Sequence, residues 1–311
     1  GGGQSAPTQP PSAPQQGTDN QTPPLCAVAG RQATAQPSAL GTTKQAAGAE
    51  AQQVCIATLN VDVLTPAKWL TLSAALESHQ PPIIACAIQH HQLLSDLAIT
   101  QGVLPVNAYT LWLNPPEESS AGNPAGGVGW AVHPDWTNRF QPISGPMEGP
   151  KVKWVQLDHG TQFASVYVRP NSQHSATLKS LHTAVRQHKH QPRVWLGDIN
   201  VDLSAQSAKR DMWDSLTELD QATIVDCEGD WRYQPTRYPR GSRAHTHRAT
   251  HLDTITATLS AVMHHAPAMR AIGTGGALDS ESDHRLVVCD LAVSVVKPPR
   301  TVYAKKWMVS R

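Results

Sequence analysis

The chain has 311 residues, room for one large domain or two small ones. Its 25 Lys+Arg against 24 Asp+Glu leave a net charge of +1, which argues against a global basic field for non-specific nucleic-acid binding and leaves local patches open. There is no apolar run of about eighteen residues, so no segment reads as a membrane span. The five cysteines (Cys26, Cys55, Cys86, Cys227, Cys289) contain no Cys-x-x-Cys pair, and three of them sit in apolar, strand-like runs. They read as reduced core thiols of an intracellular protein. The chain opens on Gly1-Gly2-Gly3 rather than Met and reads as a fragment, a processed product or part of a polyprotein.

Residues 1–50 are rich in Gly, Pro, Gln, Ser, Thr and Ala, with no apolar period, and cannot bury enough surface to offset their ordering entropy. They are expected to be disordered, and a single domain is expected over 51–295. Its first strand reads from Val54 and ends in Asn60-Val61-Asp62. Thr65-Pro66 is a helix start, with Thr65 as N-cap and Pro66 in the first turn. Trp69, Leu70, Leu72, Leu76 and Ala74 are its predicted apolar face, to about Ser78. Ile83–Ile88 is apolar at every position, the pattern of a strand covered on both faces, and it ends in Gln89-His90-His91. Residues 92–100 suggest a short helix, and 114–127 an exposed loop.

Gly127–Val132 predicts a strand. Trp154–Leu157 and Phe163–Val168 predict a hairpin around Asp158-His159-Gly160, followed by Arg169-Pro170-Asn171. A helical pattern covers 175–189 through Leu178, Leu181 and Val185, with His188 and His190 near its end, where they suit the helix dipole. Val194-Trp195-Leu196 is the end of a buried strand, broken by Gly197 and followed by Asp198-Ile199-Asn200. A helix is expected over 204–220 through Met212, Trp213, Leu216 and Leu219. Residues 228–250 form a long loop in which Arg232, Arg237, Arg240, Arg243 and Arg248 interleave with Trp231, Tyr233 and Tyr238. That combination suits a nucleic-acid backbone and its bases, or equally a solvated surface loop. His251–Ala257 reads as an alternating strand. Ser282-Asp283-His284 precedes the last strand, Leu286–Leu291, and the segment 296–311 is a basic tail or linker.

The chemistry concentrates at strand ends. In Gly197-Asp198-Ile199-Asn200 a carboxylate and a carboxamide fall two residues apart, on one side of an extended segment. The carboxylate exchanges protons, and the amide orients water or phosphate oxygens without competing for the proton. Alone, Gly-Asp-x-Asn is an ordinary strand ending in an Asx-turn. The same kind of polar strand end, however, recurs at Asn60/Asp62, Gln89/His90, Arg169/Asn171 and Asp283/His284.

The order Asn60-Val61-Asp62, Gln89, Tyr167-x-x-Pro170-Asn171, Gly197-Asp198-Ile199-Asn200, Leu252-Asp253-x-Ile255, Ser282-Asp283-His284 resembles the endonuclease/exonuclease/phosphatase family. It covers about residues 54–292. Asn60-Val61-Asp62 leans towards the apurinic-endonuclease-like branch. Pro235-Thr236-Arg237 and the basic, Trp-containing tail look like the non-LTR retrotransposon branch, in which a reverse transcriptase would follow C-terminally. The resemblance implies an α/β fold: a two-sheet β-sandwich flanked by helices, four layers α/β/β/α, with the site at one end. It implies that Asp198 serves the proton transfers and that Asn200 holds the attacking water or a phosphate oxygen. Asp253 would orient His284, which contacts the scissile phosphate or helps deprotonate water. Asn60, Tyr167 and Asn171 would contact the phosphate, with Asn60, Asp62, His90 and Asp283 at or near a metal, Mg2+ or Mn2+. Arg169, Arg232, Arg237, Arg243 and Arg248 would bind nucleic acid.

One position departs from the family. The residue after Gln89 is normally a metal-binding glutamate, and here it is His90, followed by His91. Imidazole is a poor Mg2+ ligand and a better one for Mn2+ or Zn2+. Three readings stay open: a different ion or Mg2+ held by Asp62 and Asp283, a fold kept without activity, or a shifted register. The remaining motifs are intact, so the expectation is a divalent-metal-dependent DNA endonuclease acting in the nucleus, with apurinic-site cleavage within reach. The alternatives are a catalytically impaired nucleic-acid-binding scaffold, or a phosphatase or RNA exonuclease on the same fold.

Overall fold

In the computed structural model the described residues are 50–93, 109–118, 124–170, 174–187, 191–220, 222–224, 235–238, 249–265, 267–272 and 282–295. Residues 1–49 and 296–311, expected as a disordered segment and a basic tail, therefore lie outside them. So do most of 92–100 and most of the arginine-rich loop.

Fourteen strands are described, in chain order β1 (Glu50–Asn60), β2 (Ile83–Gln89), β3 (Thr110–Asn114), β4 (Glu117–Glu118), β5 (Pro124–Ala125), β6 (Val128–Val132), β7 (Phe140–Ile143), β8 (Val152–Leu157), β9 (Gln162–Tyr167), β10 (Arg193–Asp198), β11 (Ala222–Ile224), β12 (Asp253–Thr258), β13 (Ala268–Ile272) and β14 (Leu286–Val295). The helices are α1 (Pro66–Ser78), α2 (His174–Gln187), α3 (Ala208–Leu219) and α4 (Leu259–His265). One six-stranded sheet runs β13-β14-β1-β2-β6-β3 and the other β11-β12-β10-β9-β8-β7, while β4 and β5 form a separate ribbon.

The layers follow from side-chain alternation. In β1, Ile56 points between the sheets with Ile84 and Trp130 from its own sheet and Phe163, Val194 and Leu196 from the other. Its neighbours Cys55, Ala57 and Leu59 pack instead against Trp69, Leu72 and Leu76 of α1. In β10, Trp195 turns outward to Leu178 and Leu181 of α2 and Trp213 and Leu216 of α3. Both sheets are thus covered on both faces, which is why their inner strands read as unbroken apolar runs. The result is the expected four-layer α/β/β/α sandwich. Cys55, Cys86 and Cys289 are buried thiols, as expected.

Several local expectations need correction. On α1, Leu70 is 52 % exposed and Ala74 also faces solvent, while Ser73 is buried. The stripe Trp69, Leu72, Ser73, Leu76 is spaced i, i+3, i+4, i+7, and Leu70 falls off it. Helix α3 starts at Ala208 rather than 204 because Ser207 caps it, its side chain accepting from the Arg210 N–H. Strand β12 was expected to alternate in and out, but all six residues are buried. Its Ile255 and Ala257 face the other sheet, whereas Thr256 lies beside Trp195, Trp213 and Leu216 on the helix side. The segment expected to be a loop over 114–127 carries the β4–β5 ribbon.

Strand direction gathers the polar ends. β1 and β2 are parallel, with Asn60 opposite Gln89, and β9 and β10 are parallel, with Tyr167 opposite Asp198. β12 and β14 run antiparallel to these pairs, so they begin where the others end, with Asp253 opposite Asp198. Every polar strand end described therefore meets at one end of the sandwich.

Candidate active site

A cleft of about 230 Å³ opens at that end, lined by Asn60, Asp62, His90, Tyr167, Pro170, Asp198, Asn200, Arg237, Asp283 and His284. Its floor is a buried hydrogen-bonded network. His284 Nδ1 lies 2.8 Å from Asp253 Oδ2, and Nε2 lies 3.9 Å from Asp198 Oδ2 and 3.6 Å from Asp283 Oδ1. Asp198 accepts from the Asn60 side-chain amide at 2.7 Å and from the Asn200 backbone N–H at 2.9 Å.

Local backbone geometry builds this network. Gly197 has φ +145, and a Cβ there would lie 2.0 Å from the Val166 carbonyl oxygen. Only glycine allows β9 and β10 to stay paired while the chain turns to present Asp198. Thr236 Oγ1 accepts from the backbone N–H groups of Leu252 and Asp253, fixing the start of β12. Ser282 Oγ donates to the Asn60 carbonyl and accepts from the His284 N–H, stitching the approach to β14 onto β1.

The electrostatics follow from burial and charge. Burial pulls His284 down, but the charge and hydrogen bond of Asp253, with Asp198 and Asp283 behind them, outweigh it and raise the imidazole to about 9. Burial pushes Asp198 up. His284 opposes that, Asp253 adds to it, and the Asn200 and Asn60 donors oppose it, leaving the carboxyl at about 7. Burial, then the Asp198 charge, holds the Tyr167 hydroxyl well above its ordinary value, so it stays a donor. Asn200 Nδ2 donates to the Val168 carbonyl at 2.8 Å, which orients its own carbonyl oxygen as an acceptor suited to a water proton rather than to a phosphate oxygen.

The opposite wall is the loop after β1 and the end of β2. Backbone bonds Val61 N–H to Gln89 O (3.0 Å), Val63 N–H to His90 O (2.9 Å) and Leu64 N–H to His91 O (3.0 Å) continue the pairing past the strands. Lys68 Nζ clamps the loop by donating to the Val61 and Asp62 carbonyls. His90 Nδ1 lies 3.4 Å from Asp62 Oδ1, and its ring stacks on Tyr167 at 5.2 Å. Burial, against the opposing pull of Asp62, lowers the His90 imidazole, so it is neutral at pH 7.

Of the adjacent histidines, His90 lines the cleft and His91 does not. His91 is fully buried, with Nδ1 accepting from Leu93 N–H and Nε2 donating to the Asn114 carbonyl, and burial pushes it down to about 4. The register of β2 is therefore as read from its apolar run. Gln89 is also interior, bonded to Thr58 and Ser165 between the sheets.

Asn60, expected at the phosphate or metal, has one amide N–H on Asp198 and its carbonyl oxygen on the Asp62 N–H, so it positions those two carboxylates. Arg169 is held against the β4–β5 ribbon by Glu117 and the Ala125 carbonyl rather than turned to solvent. Arg237 lines the cleft and donates to Asp283 at 2.9 Å. Asn171, Arg232, Arg243 and Arg248 lie outside the described residues. Thr236, Ser282 and Lys68 were missed as supports. Thr236 and Ser282 sit inside motifs already noted, whereas Lys68 gave no signal.

The tightest group of metal-ligating types among the described residues is Asp198, Asp253 and His284. His284 bonds Asp253 and lies 3.9 Å from Asp198, which itself accepts from two amide donors, an arrangement that suits proton transfer. Asp62, His90 and Asp283 are the open donors in the cleft. His90 Nδ1 and Asp62 Oδ1, 3.4 Å apart, are close enough to share a divalent ion, while Asp283 is already paired with Arg237.

No family model matches the sequence, and no curated protein sequence matches it. Solved structures do. A 3′ phosphatase from Neisseria bound to product DNA hairpin superposes with a TM-score of 0.56 at 17 % identity, over 78 % of this chain and 99 % of that one. A 3′-5′ exonuclease from Neisseria meningitidis gives 0.55 at 19 %, over 76 % and 98 %. The endonuclease domain of TRAS1, a telomere-specific non-LTR retrotransposon, gives 0.53 at 15 %, over 77 % and 97 %. The chain has the fold of these endonuclease/exonuclease/phosphatase structures.

Proposed function

We propose that the chain is a divalent-metal-dependent phosphodiesterase, and specifically a DNA endonuclease of the retrotransposon type. The observation that supports it is the line Asp253–His284–Asp198, buried and pointing into a cleft whose other wall offers cation donors. Structures of the same fold are a 3′ phosphatase bound to product DNA hairpin, a 3′-5′ exonuclease and the endonuclease domain of a retrotransposon, which favours DNA as substrate.

The residues divide the work. Asp198, raised to about 7, takes a proton from water that the Asn200 carbonyl oxygen orients. His284, kept protonated by Asp253, donates through Nε2 to a phosphate oxygen. The Tyr167 hydroxyl and the Arg237 guanidinium line the same cleft and stabilise charge that builds on the phosphorus oxygens. Asp62 and His90 would hold a divalent ion, which when bound would supply further positive charge to the phosphate. Purified protein should relax supercoiled plasmid with a divalent metal and not in EDTA. Plasmid left intact by folded protein in Mg2+, Mn2+ and Co2+ would overturn the endonuclease assignment.

A further inference from the structure

Two ligand atoms bound about 2.1 Å from one ion stand roughly 3.0–3.4 Å apart in octahedral or tetrahedral geometry. His90 Nδ1 and Asp62 Oδ1 are 3.4 Å apart. The spacing is imposed by the backbone. His90 N–H bonds the Gly127 carbonyl, His90 O takes the Val63 N–H, and the Asp62 N–H is held by Asn60. Both residues sit at positive φ, Asp62 at 43 and His90 at 57, conformations maintained by those bonds.

The ring is fixed as well. Its face stacks on Tyr167, interplanar angle 10°, and its far nitrogen, Nε2, is 2.9 Å from the Gln92 side-chain amide nitrogen. The amide oxygen and nitrogen of a Gln are interchangeable by a flip. With the oxygen towards Nε2, the imidazole donates to Gln92 and presents the Nδ1 lone pair to the cleft, an arrangement that outer partners commonly impose on a metal-bound histidine. The oxygen donors are meanwhile reduced, because Asp283 is paired with Arg237.

We propose that this cleft binds its cation through His90 Nδ1 and the Asp62 carboxylate, and so selects a nitrogen-accepting transition-metal ion such as Mn2+ or Co2+ over Mg2+. Mg2+ demands oxygen ligands and surrenders its waters reluctantly, whereas Mn2+ and Co2+ accept imidazole with carboxylate. The purpose of the ion rests on the phosphodiesterase reading, but its place and its ligands do not.

The test is binding, measured on the full chain and on His90→Glu and Gln92→Leu, each shown by circular dichroism to be folded. Mn2+ affinity is read from the loss of the free-ion EPR signal, Mg2+ affinity by competition, and the ligand by nitrogen modulation in pulsed EPR. The expected result is a Mn2+ signal with imidazole nitrogen coupling that vanishes in His90→Glu. In that variant the Mn2+-over-Mg2+ preference should fall by about tenfold or more. Gln92→Leu should weaken Mn2+ roughly tenfold with Mg2+ unchanged. Bound Mn2+ without nitrogen coupling in the native chain, the same preference in native and His90→Glu proteins, or no Mn2+ binding by the folded native chain would each overturn it. A plasmid left uncut by protein that shows nitrogen-coupled Mn2+ would instead sink the endonuclease reading and leave the ion assignment standing.

Discussion

Asp198, Asp253 and His284, on one wall of the cleft, are nearly sealed from solvent, with side-chain exposures of 2 %, 0 % and 5 %; His284 bonds Asp253 and lies 3.9 Å from Asp198. On the facing wall Asp62 is 60 % exposed and His90 22 %, and both are carried on loop backbone at positive φ. The contrast matches the two tasks. Moving a proton benefits from a dry site in which fixed charges shift a carboxyl and an imidazole strongly. Capturing an aqueous cation needs open donors that replace its water shell. The groups of the first wall are fixed by their surroundings, whereas a changed ligand on the second would be expected to change the ion it prefers.

The sealed wall is where a substitution costs most. Asp198→Asn keeps the shape and an acceptor for Asn60 but removes the base, and nicking should fall roughly 10²–10⁴-fold. Initial rates on supercoiled plasmid at saturating metal measure it. A variant within tenfold of native would place the base elsewhere.

Asp253→Asn should cost less, about 10²-fold, because the orientation of His284 partly survives while the charge that keeps it protonated is lost. The pH profile separates the two groups. Asp198 must be ionised, so the rate rises as pH passes upward through about 7; His284 must stay protonated, so it falls as pH passes about 9. In Asp253→Asn the alkaline limb should move to lower pH while the acid limb moves little or slightly down, since Asp253 also raises Asp198. An unmoved alkaline limb would dissociate His284 from that limb.

The two walls also differ in how far the sequence exposed them. Asp198, Asn200, Asp253 and His284 stand at the ends of long apolar strands, and two sheets buried on both faces leave only one place for such polar residues to go. The fold was legible for the same reason, through the runs at β1, β2 and β10. Short elements were not: β4, β5, β7 and β11 are too brief to show a period, and α4 is a single seven-residue helix. On the open wall, the sequence placed His90, after Gln89, at the metal and left its neighbour His91 without a role. What separates them is tertiary, since His91 fills the space over Gly127, where a Cβ would lie 2.7 Å from its ring. Lys68 was invisible because its role is to hold two backbone carbonyls, which no side-chain pattern records.

Arg237 belongs to both walls, and its removal should have the smallest effect. Its Nε is on Asp283, and among the described residues its terminal nitrogens have no partner, so they remain for a phosphate. Arg237→Met should weaken DNA binding in EDTA by about tenfold or less and lower the slope of log affinity against log salt by about 1. The same change frees the Asp283 carboxylate, so Mn2+ affinity measured without DNA should hold or rise. Opposite signs in the two titrations would show that one side chain tempers the cation wall while serving the phosphate. A parallel loss of DNA and metal affinity would mean that the Arg237–Asp283 pair chiefly supports the loop leading into β14, where Tyr238 N–H bonds the Asp283 carbonyl and Arg285 stacks over the Tyr238 ring at 4.1 Å.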